Sequence, residues 1–102
     1  MKITRLFLVE KQITDVSPLK ELTQLKKLYL NNNQLTSVKG LEKLTQLEWL
    51  SLNNNELTSV KGLEKLTQLE WLYLYSSGIS FSDIDALQEA LPDCRIHNFP
   101  GA

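Results

Sequence analysis

Few side chains in this sequence could carry out a reaction, and they lie near its C-terminus. His97 is the only histidine and Cys94 the only cysteine, with Asp93 and Arg95 between or beside them. A histidine near an aspartate can act as a general base, but no nucleophile is placed to use it. The spacing of Cys and His fits no zinc site, and there is no glycine-rich phosphate loop. We therefore expect no enzyme, no metal site and no cofactor.

Side chains suited to binding are more prominent, because aromatic residues recur at a fixed spacing. Trp49 and Trp71 are separated by 22 residues, as are Tyr29 and Ser51, and Ser51 and Tyr73. Aromatic residues and arginine are the types that dominate the centres of protein interfaces. Whether they share a surface depends on the elements that carry them.

Those elements follow from an internal repeat. Residues 35–50 and 57–72 are identical, and residues 13–34 keep the same apolar positions. Partial copies lie at both ends, where steps of 22 residues place Leu6 and Cys94 in the row of Leu50 and Leu72. The sequence predicts one domain over residues 1–102, with a partial repeat at 1–12, full repeats at 13–34, 35–56 and 57–78, and a C-terminal capping repeat at 79–102.

Each repeat predicts one strand and one return segment. The Leu-x-Leu alternation is typical of a strand with one buried face, which places strands around residues 5–9, 27–31, 49–53, 71–75 and 93–97. Each strand pairs with its copy in the next repeat, which gives a parallel sheet. Pro18, Gly40 and Gly62 interrupt the returns, so short turns or 3₁₀ segments are expected there.

The last return has a different pattern. Residues 82–91 predict a helix, with Ser82 as its N-cap and Ile84, Leu87 and Leu91 on one apolar stripe. Pro92 follows its end. We expect this helix to cover the core of the last repeat.

The motif Leu47-x-x-Leu50-x-Leu52-x-x-Asn55-x-Leu57, which also occurs 22 residues earlier, resembles the leucine-rich repeat. The repeat length resembles the bacterial internalin-like class. The resemblance implies an α/β solenoid: a right-handed superhelix with a parallel concave sheet of about five strands, short 3₁₀ or turn returns on the convex side, and a C-terminal capping helix. Lys11 and Ser77 depart from the asparagine row, as does Phe99 in the last unit, and the N-terminal helical cap usual in internalin-like domains is missing.

If the leucines face inward, the residues between them form three rows on the concave face. The predicted rows are Arg5, Lys27, Trp49, Trp71 and Asp93; Phe7, Tyr29, Ser51, Tyr73 and Arg95; and Val9, Asn31, Asn53, Tyr75 and His97. The resemblance implies that proteins or peptides bind there. The candidate binding residues are Phe7, Lys27, Tyr29, Trp49, Trp71, Tyr73, Tyr75, Arg95 and His97. Packing between neighbouring strands would explain the repeated tryptophans equally well.

Three polar or reactive residues are interpreted as structural. Asn33 and Asn55 stand where the chain leaves a strand, and their amides can bond the backbone groups that a tight turn leaves unpaired. Cys94 falls on a leucine row, so we expect a buried, unreactive thiol.

Charge and hydropathy exclude several classes of partner. The formal net charge is −1, and the cations form no basic stripe, so nucleic acid is not expected. No apolar run is long enough to span a membrane, and the N-terminus lacks the features of a signal peptide. The localisation stays open, with the single cysteine consistent with the cytoplasm.

A second copy of the chain is a further expected partner. The strand at residues 3–9 begins almost at the N-terminus, and an open strand edge can pair with another chain. Phe7 and Val9 add apolar surface there, whereas Lys2, Arg5, Glu10 and Lys11 favour a soluble monomer. We expect a homodimer through this edge.

Two hypotheses for function remain. The near-identical repeats favour a non-enzymatic scaffold, engineered or consensus-like, whose concave face suits protein or peptide binding. The alternative is a natural bacterial interaction domain or a fragment of a longer array. Concave positions 51/73 and 53/75 differ while sixteen successive positions do not, and such variation is typical of a selected binding face.

Overall fold

The computed structural model describes residues 2–98, so Met1 and residues 99–102, including Phe99, lie outside the described part of the chain. One parallel sheet contains five strands in chain order. They are β1 (Arg5–Phe7), β2 (Lys27–Tyr29), β3 (Trp49–Ser51), β4 (Trp71–Tyr73) and β5 (Arg95–His97). The predicted solenoid is confirmed, with each strand paired to its copy in the next repeat.

The opposite, convex side carries the return segments. Three are 3₁₀ helices, at Ser17–Glu21, Leu41–Lys43 and Leu63–Lys65, and the fourth is the α-helix α1, Phe81–Ala90. Gly40 and Gly62 precede the second and third with φ of 106° and 107°, a conformation that side chains disfavour. Each glycine N–H donates to a glutamate two residues on, Glu42 or Glu64, at 2.8 Å.

The hydrophobic core lies between the sheet and the returns. Its central leucines, among them Leu28, Leu50 and Leu72, are 0% exposed. In β1 the equivalent Leu6 is only half-buried, and so is Ile96 in β5. The burial of these side chains therefore decreases toward both ends of the array, because an end repeat packs against a neighbouring repeat on one side only.

Asn33 and Asn55 join successive repeats from inside the turns. The Asn55 amide nitrogen donates to Leu30 O at 3.1 Å, one repeat back, and to Leu52 O at 3.0 Å in its own repeat. Its Oδ1 accepts from the Leu35 N–H at 3.0 Å. Asn33 makes the same kinds of contact, and in the third copy the Ser77 hydroxyl donates to Leu74 O.

The last repeat is two residues longer than the 22-residue repeats before it. Its strand is displaced by 24 residues, since Ile96 pairs with Leu72, Arg95 with Trp71 and His97 with Tyr73. The predicted alignment of Cys94 with Leu72 was wrong. An α-helix rises about 1.5 Å per residue against about 2.0 Å in a 3₁₀ helix. The helical return therefore needs more residues to cross the convex side.

The start of α1 also differs from the prediction. Ser80, not Ser82, is the N-cap, and its hydroxyl accepts from the Asp83 N–H at 3.2 Å. The apolar stripe is as expected, with Ile84, Leu87 and Leu91 buried in the core. Within residues 2–98, no helix is long and apolar enough to cross a membrane.

Cys94 is buried although it lies outside the leucine row. Its N–H donates to Leu91 O at 3.1 Å, as the Leu69 N–H does to Leu66 O at 3.0 Å. Cys94 therefore lies in the turn that leads into β5, as Leu69 lies in the turn that leads into β4. Burial raises the pKa of the thiol to about 11, so almost no thiolate forms at neutral pH.

We expect a thiol reagent to label folded Cys94 very slowly at pH 8 and to label it fully once the chain is unfolded in denaturant. The reason is that the thiolate is the reactive form and the side chain is only 4% exposed. Absorbance of the released chromophore measures both rates. Rapid labelling of one thiol per folded chain would contradict the prediction.

Concave aromatic face

The strand residues whose side chains alternate with the buried leucines form three rows on the concave sheet. The first row is Arg5, Lys27, Trp49, Trp71 and Arg95, and the second is Phe7, Tyr29, Ser51, Tyr73 and His97. The third continues past the strand ends with Val9, Asn31, Asn53 and Tyr75. The carbonyls of Asn31, Asn53 and Tyr75 accept ladder hydrogen bonds from the N–H groups of Glu10, Asn32 and Asn54 in the preceding repeat.

The observed register between β4 and β5 differs from the predicted one at three concave positions. Arg95 stands beside Trp71, where Asp93 was expected, and His97 stands beside Tyr73, where Arg95 was expected. Asp93 lies before β5 and takes no concave position. All nine candidate binding residues nevertheless lie on this face.

The aromatic rings form a continuous ladder across all five strands. Phe7 stacks on Tyr29 with ring centroids 4.4 Å apart, and Tyr73 stacks on His97 at 4.6 Å. Trp49 joins the two pairs, with its ring 5.9 Å from Tyr29 and 5.2 Å from Tyr73. The expected packing between neighbouring strands is therefore present.

Trp49 can connect these pairs because the second row holds a serine between two tyrosines. Its ring contacts the rings on both sides of Ser51, and Ser51 is only 6% exposed. A tyrosine at position 51, as in the flanking repeats, would occupy the same space. Because position 51 is a serine, the Trp49 ring of the first row fills the gap between Tyr29 and Tyr73, and the series of ring contacts stays continuous.

Two cations lie over the tryptophan rings. The guanidinium carbon of Arg95 is 4.7 Å from the Trp71 centroid, and the Lys27 ammonium is 5.9 Å from the Trp49 centroid. Such contacts contribute about 0.5–1 kcal/mol at exposed sites. They place the two positive charges beside the tryptophan rings, while Arg95 stays exposed and Lys27 half-buried.

The ladder is packed closely enough to exclude water from some of its polar atoms. Trp49 Nε1 and His97 Nε2 are buried and have no hydrogen-bond partner among the described residues. Yet the rings of Tyr29, Trp49, Trp71 and Tyr73 are only half-buried, and Phe7 is 58% exposed. The face is thus ordered and still accessible.

The third row is partly structural. Asn53 is 5% exposed, and its Oδ1 accepts from the Tyr75 N–H at 3.0 Å while its amide nitrogen contacts the Ser51 hydroxyl at 3.4 Å. Asn53 therefore fixes the backbone that carries Tyr75. Sequence spacing alone treated Asn31 and Asn53 alike and gave no sign of this difference.

The residues with metal-binding or reactive side chains do not come together in the part of the chain that the structure describes. Among residues 2–98, no three His, Cys, Asp or Glu side chains gather closely enough to hold a metal ion. His97 contacts rings on the concave face, whereas the Cys94 thiol is in the core. The two side chains singled out for reactivity are therefore directed apart.

Comparison with known proteins supports the repeat assignment. The leucine-rich-repeat family profile matches residues 23–79, and a two-copy profile of the same repeat matches residues 2–43. A search of curated protein sequences gives no match.

Solved structures give close matches to the fold. Internalin C2 of Listeria monocytogenes aligns with a TM-score of 0.82 and 38% identity, over 92% of this chain and 40% of that one. A leucine-rich-repeat protein of Leptospira interrogans aligns with a TM-score of 0.84 and 34% identity, over 92% of this chain and 25% of that one. The functional domain of internalin J, at 23% identity and a TM-score of 0.79, shares the fold.

The chain spans less than half the length of these solved structures, so the comparison concerns the repeat array and not the whole relatives. The chain belongs to the leucine-rich-repeat family and is an internalin-like member of it.

Proposed function

We propose that the chain binds a protein or peptide segment on its concave face and catalyses no reaction there. The observation that carries this proposal is the half-exposed aromatic ladder, flanked by ordered cations. Aromatic rings and arginine provide large contact area at a low cost in side-chain entropy. The membership in a repeat family whose fold presents an extended concave sheet supports the same function.

The competing hypothesis is a consensus-like, engineered scaffold without a ligand. It is favoured by the sixteen identical positions and by the ring stacking, which stabilises the sheet whether or not anything binds. The binding hypothesis is favoured by the differences between copies at Ser51/Tyr73 and Asn53/Tyr75, since these concave positions vary within an otherwise constant frame. The two hypotheses differ in what they predict for a selection experiment.

Selection of a random peptide display library on the immobilised chain should enrich binders that depend on Trp49 and Trp71. Truncating a central aromatic anchor costs about 2 kcal/mol or more. The double variant Trp49→Ala/Trp71→Ala should therefore bind the selected peptides at least about 30-fold more weakly. Peptide affinity can be measured by calorimetry, with circular dichroism to show that the variant is folded.

A matched control is Lys61→Ala/Lys65→Ala, which changes two exposed residues on the convex side and should leave affinity unchanged. If no peptide is enriched, or if enriched peptides bind the folded tryptophan variant as well as the parent, the concave-face proposal is wrong. The scaffold hypothesis would then be preferred.

We also propose that the 102-residue chain self-associates through β1. Among residues 2–98, β1 is hydrogen-bonded on one side only, and Ile3 and Phe7 near its free edge are 48% and 58% exposed. Pairing of two such edges would give a two-fold dimer. Light scattering over a concentration series should show a mass that rises from monomer to dimer.

The variant Phe7→Lys should remain monomeric, because a charge at the edge opposes strand pairing. Phe81→Lys is its control, since Phe81 is equally apolar and 64% exposed but lies at the start of α1. A parent chain that is monomeric at the highest attainable concentration would refute the dimer.

A further inference from the structure

The concave face differs in charge from the rest of the chain. The chain has 12 acidic and 11 basic residues, but the three concave rows hold Arg5, Lys27 and Arg95 and no carboxylate. Glu48 and Glu70 directly precede β3 and β4 and lie outside these rows, at the edge of the sheet where the strands begin. The face is therefore aromatic in the middle and positively charged toward both ends.

The orientation of the rings adds a second constraint. Phe7 and Tyr29 are within 10° of parallel at 4.4 Å, and Tyr73 and His97 are within 12° at 4.6 Å. In these two pairs the ring faces are turned toward each other along the sheet and the ring edges are left for a ligand, whereas Trp49 is tilted by 36–39° against its neighbours. Ring edges carry the positive end of the aromatic quadrupole, so they favour carboxylate and carbonyl oxygens.

We propose that the partner segment is acidic, which deepens the concave-face binding proposed above and rests on it. Its carboxylates pair with Arg95 at one end and with Lys27 or Arg5 at the other, while apolar residues between them cover the ladder. From β5 to β2 is three strand spacings, or about 14 Å, and from β5 to β1 is about 19 Å. An extended peptide advances about 3.3–3.6 Å per residue, so its two carboxylates are about four to six residues apart.

The contacts of Lys27 and Arg95 with the tryptophan rings hold these cations in position to bind carboxylates. Arg95 lies with its guanidinium 4.7 Å from the Trp71 centroid, which leaves the N–H groups at the edge of the guanidinium plane free to bind a carboxylate with two bonds. Single-stranded nucleic acid is less well suited, because bases need open ring faces for stacking. Here the stacked pairs Phe7–Tyr29 and Tyr73–His97 cover each other's faces, and cations lie over the two tryptophan rings.

The test uses the peptides selected on the parent chain. We expect acidic residues in them, paired four to six positions apart around an apolar centre. Replacing both acids by their amides should weaken binding about ten- to a hundred-fold and abolish most of its salt dependence. Fluorescence reports the titration directly, since Trp49 and Trp71 are the only tryptophans, provided that the synthetic peptide contains none.

Charge reversal on the chain gives the matching half of the experiment. Lys27→Glu/Arg95→Glu should lose affinity for the acidic peptide and gain it for a copy with lysines in place of the acids. A fold defect cannot produce such an exchange. Lys61→Glu/Lys65→Glu makes the same charge change on the convex side and should alter neither affinity by more than about two-fold.

The outcomes separate this inference from the function on which it rests. Selected peptides that need Trp49 and Trp71 but carry no excess of acidic residues would overturn the acidic partner and keep the binding face. Binding of oligodeoxythymidine more tightly than any selected peptide would also overturn it. Peptides that ignore the tryptophans would instead refute the proposed function itself.

Discussion

Leu50→Ala is expected to lower the free energy of unfolding by about 2–5 kcal/mol. Leu50 is 0% exposed and lies in β3, the central strand, where Leu28 and Leu72 flank it in register. Strands on both sides fix the surrounding backbone, so the cavity left by the lost methyl groups cannot close. A domain of this size has a total stability of about 5–15 kcal/mol, and one substitution therefore removes a large part of it.

Leu6→Ala provides the control, because Leu6 occupies the same row in the edge strand β1 and is only half-buried. It should cost clearly less than Leu50→Ala, since fewer contacts are lost and solvent can fill the space. Urea unfolding followed by circular dichroism measures both. Equal losses at the two positions, or an unchanged midpoint for Leu50→Ala, would mean that the core is not centred where the structure places it.

The middle of the fold could be predicted from the sequence because two signals coincide there. The Leu-x-Leu pattern indicates strands, and the 22-residue period of Leu28, Leu50 and Leu72 gives their register directly. In such an array each repeat contacts only its neighbours. As long as the repeat length is constant, the register of one pair of neighbouring strands therefore also gives the register of the next pair.

The prediction was wrong where that length changes. The helix α1 was recognised from its apolar stripe, but its effect on the number of residues per turn of the solenoid was not included. Cys94 was therefore placed in the row of Leu72, a position that Ile96 takes two residues later. Ser80 and Ser82 are both acceptable N-caps by residue type, and only the backbone geometry distinguishes them.

The candidate face shows a different limit. Its residues could be named from spacing, but the position of the Trp49 ring over Ser51 depends on which neighbour leaves room, and no periodic pattern encodes that. The absence of carboxylates from the three rows was also hidden, because the assumed register placed Asp93 next to Trp71. Because side chains alternate along a strand, a register shift of two residues leaves each residue of β5 on the same side of the sheet. It replaces Asp93 by Arg95 beside Trp71, and so changes the charge of the concave face.

Asn55→Ala is expected to destabilise the chain by about 2–4 kcal/mol, as large an effect as many core truncations. Asn55 is 6% exposed, and its amide accepts from Leu35 N–H and donates to Leu30 O and Leu52 O. Alanine removes the partners of Leu35 N–H and Leu52 O, whereas Leu30 O keeps the bond from the Asn33 amide at 2.9 Å. Each unpaired buried group costs about 1–3 kcal/mol. Because Leu30 belongs to the preceding repeat, the loss also weakens the link between repeats.

Asn55→Ser should recover part of this stability, because the chain already contains a working serine in the same row. The Ser77 hydroxyl donates to Leu74 O, and the Leu57 N–H bonds to Ser77 O at 2.7 Å in place of an amide oxygen. Hydrogen exchange of the Leu35 amide gives a local measure, and it should be fastest in Asn55→Ala. If alanine and serine are equally destabilising, the serine pattern at Ser77 depends on the turn around it, and the amide of Asn55 cannot be replaced by a hydroxyl. If alanine costs nothing, the hydrogen bonds inside the turn do not hold neighbouring repeats together.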